Sequence, residues 1–222
     1  MPRRSPISTP TWTFASFTSP NLAALRGLIF GLSALPALLL IIQFIAGRLG
    51  VNPVESLLHG TGIWALRFLL ITLAISPLRW LTGFNWLIRL RRQVGLWAFF
   101  YALSHLSIFA IFEHSLVLAT MLNDIADRPY ILVGTAALTL LIPLALTSTT
   151  GWIRRLGRNW KRLHWLIYPA AVLALVHFFW LIKADRWLEP LIYAGVLLVL
   201  LAYRLGRRAA FTRSQDTRAP AR

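Results

Sequence analysis

The sequence predicts an all-α polytopic membrane protein, a bundle of six transmembrane helices, on three observations. Of 222 residues, 57% are hydrophobic and 14% charged, whereas a soluble domain is about half apolar and roughly a quarter charged. The mean hydropathy is +0.64. Six runs approach or reach the length of about 20 mostly apolar residues that the hydrocarbon core demands. Helix is the spanning form, because lipid leaves unpaired backbone groups without partners and the ten-residue alternation of barrel strands is missing.

The elements follow in order. Residues 1–26 are rich in Ser, Thr and Pro and read as a disordered cytoplasmic N-terminus. Arg3-Arg4 suggests a twin-arginine export signal, but the first apolar run starts more than 20 residues later and is long enough to be retained as a helix. The runs are Gly27 to Gly47, Leu57 to Pro77, Val94 to Phe112, Tyr130 to Thr150, Leu163 to Ile182 and Pro190 to Tyr203, the last being the shortest. They make one transmembrane domain over 27–206, with no internal repeat in the sequence and no linker. Residues 207–222 read as a disordered, basic cytoplasmic tail.

Net charge is +16, from 23 Lys and Arg against 7 Asp and Glu. A basic patch on one face would suggest nucleic acid, but these arginines lie between apolar runs, so the membrane reading prevails. Eighteen basic residues fall at one end of the six runs and four (Arg48, Arg128, Lys183, Arg186) at the other, which also holds six of the seven acids. The positive-inside rule then places both termini in the cytoplasm. Arg67 remains, inside the second run, where it needs an anionic partner. Glu55 and Glu113 are structural candidates. Trp80, Trp86, Trp152, Trp160 and Trp187 lie near run ends and read as interfacial anchors.

Cysteine is absent and the two methionines are Met1 and Met121. That excludes disulfides, iron–sulfur clusters, thiolate metal sites and covalently attached haem, and leaves little scope for methionine ligation. Histidine remains, with five copies. Ionisable groups at membrane depth are costly and functional by default, although one such histidine can equally be packing glue between helices. His105 in the third run lies roughly 18 Å from the arginine-rich end and His177 in the fifth about 21 Å. Imidazoles at one level on separate helices can hold an iron between them, as in b-type haem.

His164 stands at the basic mouth, about 20 Å from His177 along the helix, a spacing that suits a second haem or an electron entry site near Lys161 and Arg162. Pro169 between the two is expected to kink the helix. His114 reads as a solvated loop-edge residue. His59 begins the second run, on the helix that carries Arg67, for which a haem propionate would also serve as the anion. Gly60-Thr61-Gly62-Ile63-Trp64-Ala65 has the letters of a dinucleotide fingerprint but neither a preceding strand nor an acid near position 80.

Taken together, His59-Gly-Thr-Gly, Ala65-Leu-Arg-Phe-Leu-Leu, Ile75-Ser-Pro-Leu-Arg, Arg91-Arg-Gln-Val-Gly-Leu-Trp, Ser104-His-Leu, Arg128-Pro-Tyr, Leu146-Thr-Ser-Thr, Lys161-Arg-Leu-His and Leu191-Ile-Tyr-Ala-Gly resemble the ferric reductase-like transmembrane family. Within it, the likeness from about Asn52 to Arg208 is to the haem-binding membrane subunits of periplasmic methionine sulfoxide reductase systems. The resemblance implies a haem-binding bundle, a b-type cytochrome that passes electrons from a quinol or a cytoplasmic flavin reductase to a periplasmic molybdopterin-dependent reductase. It carries metal-ligand roles onto His105, His164 and His177 and implies FMN as an additional cofactor, with no flavin site evident among these residues. Related oxidases place four histidines in two pairs on the third and fifth helices; here Arg91 stands 14 residues before His105, where one of the four would be. Beyond the resemblance, the short tail after the last run leaves no room for a nicotinamide domain, so a quinol or separate reductase is the expected donor. A stand-alone ferric or oxygen reductase would differ in needing no protein partner, and a transporter would show inverted repeats.

Overall fold

A computed structural model describes residues 21–182 and 187–216, with side chains as far as Arg207. Among the described residues there is no strand, and six helices are long and apolar enough to cross a membrane: Leu22–Ile45, Pro53–Thr82, Arg91–Glu113, Pro129–Leu146, Arg158–Leu181 and Leu188–Arg207. The chain is a multi-pass all-α membrane protein. Residues 1–20, together with Lys183, Asp185 and Arg186 and the tail beyond Asp216, lie outside the described residues, so their expected roles rest on sequence.

Helix α1 (Leu22–Ile45) begins five residues ahead of the apolar run because the Asn21 side chain accepts from the backbone N–H of Ala23 and Ala24. Only Ser33 and Pro36 on it are buried, so α1 stands at the rim of the bundle. Helix α2 (Pro53–Thr82) starts with Asn52 as cap and proline in the first turn, and ends at Gly83 with φ +75°. It is the most buried span and forms the centre, packed chiefly on α3 (Arg91–Ile108). Helices α5 (Pro129–Leu146) and α8 (Ile167–Leu181) form the other closely packed pair, and α9 (Leu188–Asp216) closes the bundle against α2 and α8.

Two prolines leave helix carbonyls without their normal donors, and side chains from distant helices restore the ladder. Around Pro36 the bond from Ala37 N–H to the Ser33 carbonyl is replaced by the Tyr101 hydroxyl, which accepts from Ala37 at 2.9 Å and donates to Ser33 at 2.7 Å. Tyr101 is fully buried. Pro77 has no N–H for the Leu73 carbonyl one turn earlier; Arg204 Nη2 donates to it at 2.6 Å while Nη1 donates to the Tyr168 hydroxyl at 2.6 Å. That support carries α2 past Pro77, where the apolar run stops, to Thr82. Arg204, one of the eighteen basic residues counted at the arginine-rich end, is 8% exposed for the same reason.

Three further departures have local causes. The loop after the third run contains α4 (Leu118–Asp127), an amphipathic stretch without glycine or proline, entered through Ser115 and Leu116 at φ +50° and +63°. Helix α3 ends in a π-turn over 109–113, and together these segments cover His114. Its side chain is 9% exposed, with Nε2 at 3.3 Å from Asp124 Oδ2 and Phe109 stacked edge-on at 4.5 Å, so it is not a solvated loop-edge residue. A short helix α6 (Thr150–Leu156) precedes the fifth span, which itself breaks into α7 (Arg158–Leu163), a 3₁₀ turn at His164–Leu166, then α8. The break precedes Pro169, which sits in the first turn of α8 where its missing N–H is harmless. Finally, α9 runs on to Asp216, because nothing after Pro190 except Gly206 opposes helix, so the tail expected disordered from 207 has helical backbone for ten residues.

Candidate functional site

His105 on α3 and His177 on α8 face each other across the bundle, ring centroids 6.1 Å apart and planes at 82°. Each ring is fixed by the helix with which its own helix pairs. His105 Nδ1 lies 2.9 Å from the Leu58 carbonyl of α2, and His177 Nδ1 lies 2.6 Å from the Tyr130 carbonyl of α5. A carbonyl only accepts, so both Nδ1 atoms carry the proton and both Nε2 atoms keep a lone pair. This carbonyl-anchored tautomer is how metal-ligating histidines are held.

One turn beyond each carbonyl is a glycine. A Cβ on Gly62 would stand 3.2 Å from His105 Nδ1, and one on Gly134 would stand 2.8 Å from His177 Nδ1. The two halves of the site therefore repeat one device: a carbonyl, a glycine four residues later, and an imidazole laid into the notch from a helix 47 residues after the carbonyl. Small residues permit this close approach between spanning helices.

The pair suits a metal that brings most of its own ligands. A metal–imidazole bond is about 2 Å, so two imidazoles sharing one ion have centroids roughly 6 Å apart, close to the separation found. Among the described residues no group of three or more His, Asp or Glu could hold a bare ion. Two histidines without a third ligand fit haem iron, whose porphyrin supplies the other positions.

His164 has no histidine opposite it. Its ring stacks on Trp160 at 3.9 Å, Nδ1 lies 3.1 Å from the Trp160 carbonyl, and Trp160 Nε1 donates to the Thr147 carbonyl at 2.9 Å. Trp160 is thus a packing partner for His164 and more than an interfacial anchor. Lys161 and Arg162 are exposed; the cation within electrostatic reach of His164 is Arg91, which also feels Arg204. Among the described residues no carboxylate pairs with Arg91 or Arg204, and Arg204 Nε is buried without a hydrogen-bond partner. The arginine-rich end therefore carries uncompensated positive charge beside one imidazole.

Arg67 finds its anion in Glu189 at 3.6 Å, rather than in Glu55 or Glu113, with Nε donating to the Tyr193 hydroxyl at 2.8 Å and the guanidinium over Trp64. His59 is exposed, and its ring lies 6.1 Å from Phe178, the neighbour of His177. The structure thus joins His105 with His177, sets His164 apart, and leaves His59 and Arg67 on the flank. Sequence reading missed Gly134, the carbonyls of Leu58 and Tyr130, and the burial of Arg204. A glycine within an apolar run was the available signal for Gly134.

The model of the family "Ferric reductase like transmembrane component" matches residues 61–175. The heme-binding subunit MsrQ of protein-methionine-sulfoxide reductase from Xanthomonas euvesicatoria pv. vesicatoria is 48% identical over 207 residues, covering 90% of this chain and 94% of that protein. The same subunit from Xanthomonas campestris pv. campestris is 53% identical over 166 residues, 75% and 76% of the two chains. That from Herminiimonas arsenicoxydans is 44% identical over 189 residues, 84% and 86%. No solved structure matches.

Proposed function

The chain belongs to the MsrQ family of ferric reductase-like transmembrane proteins, and we propose that it is the haem-binding subunit of a protein-methionine-sulfoxide reductase, an electron carrier through the membrane. The observation that carries the reading is the facing pair His105 and His177, each with Nδ1 committed to a backbone carbonyl of a neighbouring helix.

Bound haem supplies one-electron chemistry that the side chains themselves lack. His105 and His177 would hold its iron, and their anchored tautomers keep both Nε2 atoms available without a proton being moved. Gly62 and Gly134 leave room for the rings, while the surrounding apolar core keeps water from the pair. Arg67 and His59, on the flank, are proposed to meet the carboxylates at the cofactor's edge, Arg67 sharing itself with Glu189. At the inner end His164, Arg91 and Arg204 form the proposed entry site. A second haem would have only one histidine there, whereas an anionic group such as the phosphate of FMN would meet the charge of Arg91, which no carboxylate among the described residues pairs with.

The positive-inside rule supports an inner-membrane orientation with the arginine-rich end and both termini cytoplasmic. Electrons would then enter from a quinol or a cytoplasmic flavin reductase and leave on the acidic side to a periplasmic molybdopterin-dependent reductase.

The test is reconstitution of the purified protein with that reductase, following haem oxidation when a protein-bound methionine sulfoxide is added. Oxidation that needs both reductase and sulfoxide is expected. Haem that is oxidised equally fast by ferric citrate or oxygen with no partner would favour a stand-alone reductase instead.

A further inference from the structure

We propose that the groove between α1 and α3 at the arginine-rich end binds one anionic phospholipid, its phosphodiester among Arg26, Arg89 and Arg92 and an acyl chain against Phe30, Trp97 and Phe100. The groove has a volume of about 590 Å³ and lies on the outer surface of the bundle, away from the paired histidines. Its chemistry is graded along the helices. Arg92, Leu96 and Phe100 follow one another at four-residue steps on one face of α3, and Arg26 and Phe30 do so on α1. Charge therefore sits at the mouth, and the wall turns wholly apolar toward the membrane interior.

The walls are assembled rather than incidental. Trp97 lies 5.2 Å from Phe30 across the groove and 5.1 Å from Phe100 along it, and Gln93 Nε2 donates to the Arg26 carbonyl at 2.8 Å, pinning the two helices together at the charged end. Among the described residues no acid pairs with Arg26, Arg89 or Arg92. Three unpaired guanidiniums beside an aromatic-lined trough match a ligand with a fixed negative charge and a long apolar tail. Basic pockets between spanning helices bind anionic headgroups in this way. An isoprenoid quinone also has an apolar tail, but its uncharged head gives three guanidiniums nothing to neutralise. The same contacts explain how α1, with few buried residues of its own, is held to the bundle.

The test uses the full chain in mild detergent and native mass spectrometry, titrating phosphatidylglycerol and phosphatidylcholine of identical acyl chains. One tightly retained phosphatidylglycerol is expected, preferred roughly tenfold or more over phosphatidylcholine, since each cation near a headgroup contributes about a fivefold gain. R89Q/R92Q should fall to the phosphatidylcholine level, while R154Q/R158Q, which removes the same charge from exposed positions outside the groove, should retain the lipid. Equal retention of the two lipids by the wild-type chain would overturn the proposal, and that comparison holds even if R89Q/R92Q fails to fold. Equal loss from both double variants would show a general surface-charge effect, displacement by a short-chain ubiquinone analogue a quinone site, and equal competition by inorganic phosphate a free-anion site; each also overturns it.

Discussion

At the scale of single residues, the site depends on what is absent from two side chains. Gly134 leaves the space that the His177 ring occupies, and the ring cannot retreat because Nδ1 is held by the Tyr130 carbonyl. G134A forces an overlap whose cost is that of overpacking, about 1–3 kcal/mol. We expect several-fold weaker haem retention in G134A and a milder loss in G62A, where the contact is 3.2 Å and a small shift relieves it. Pyridine haemochrome assays on the two purified variants check this, and full haem content in G134A would show that the notch is not needed. The histidines were visible in the sequence because imidazoles are rare at membrane depth, and their common level followed from helical rise alone. The notches were not, since a glycine within an apolar run looks the same whether it faces lipid or a ring.

At the scale of elements, the spans were readable because apolar length is a property of the chain by itself. Their ends and interruptions depend on partners that the sequence does not place. Helix α2 passes Pro77 because Arg204, 131 residues after Leu73, takes the orphaned Leu73 carbonyl, and α1 keeps its course at Pro36 because Tyr101 enters its hydrogen-bond ladder. Tyr101→Phe would leave the Ser33 carbonyl and the Ala37 N–H buried without partners, destabilising the bundle by about 1–3 kcal/mol. A lowered thermal midpoint for Y101F in detergent, with haem spectra unchanged at low temperature, is the expected outcome. An unchanged midpoint would show that α1 closes its own ladder when the hydroxyl is gone. The helix α4 over His114 was missed for a related reason, because its ten residues are too few and too mixed to register as a span and look like loop.

At the scale of the whole molecule, two helix pairs, α2 with α3 and α5 with α8, each present one carbonyl-anchored imidazole to a common centre. The eighteen-to-four distribution of basic residues is the basis of the proposed orientation of that bundle. An export-dependent reporter fused at Arg222 should therefore be inactive and the same reporter in the 115–117 loop active; the reverse pattern would invert the proposed path of electrons. In the proposed site, His105 and His177 together hold one haem iron while His164 does not. Electron paramagnetic resonance of the ferric protein reads it directly. Two strong-field imidazoles with planes near perpendicular, as the 82° between these rings suggests, make the iron low-spin with strong anisotropy. We expect that signal in the wild-type chain, its loss or conversion to high-spin in H105A and in H177A, and its persistence in H164A. A low-spin signal that survives in H105A or H177A, or that disappears in H164A, would contradict it.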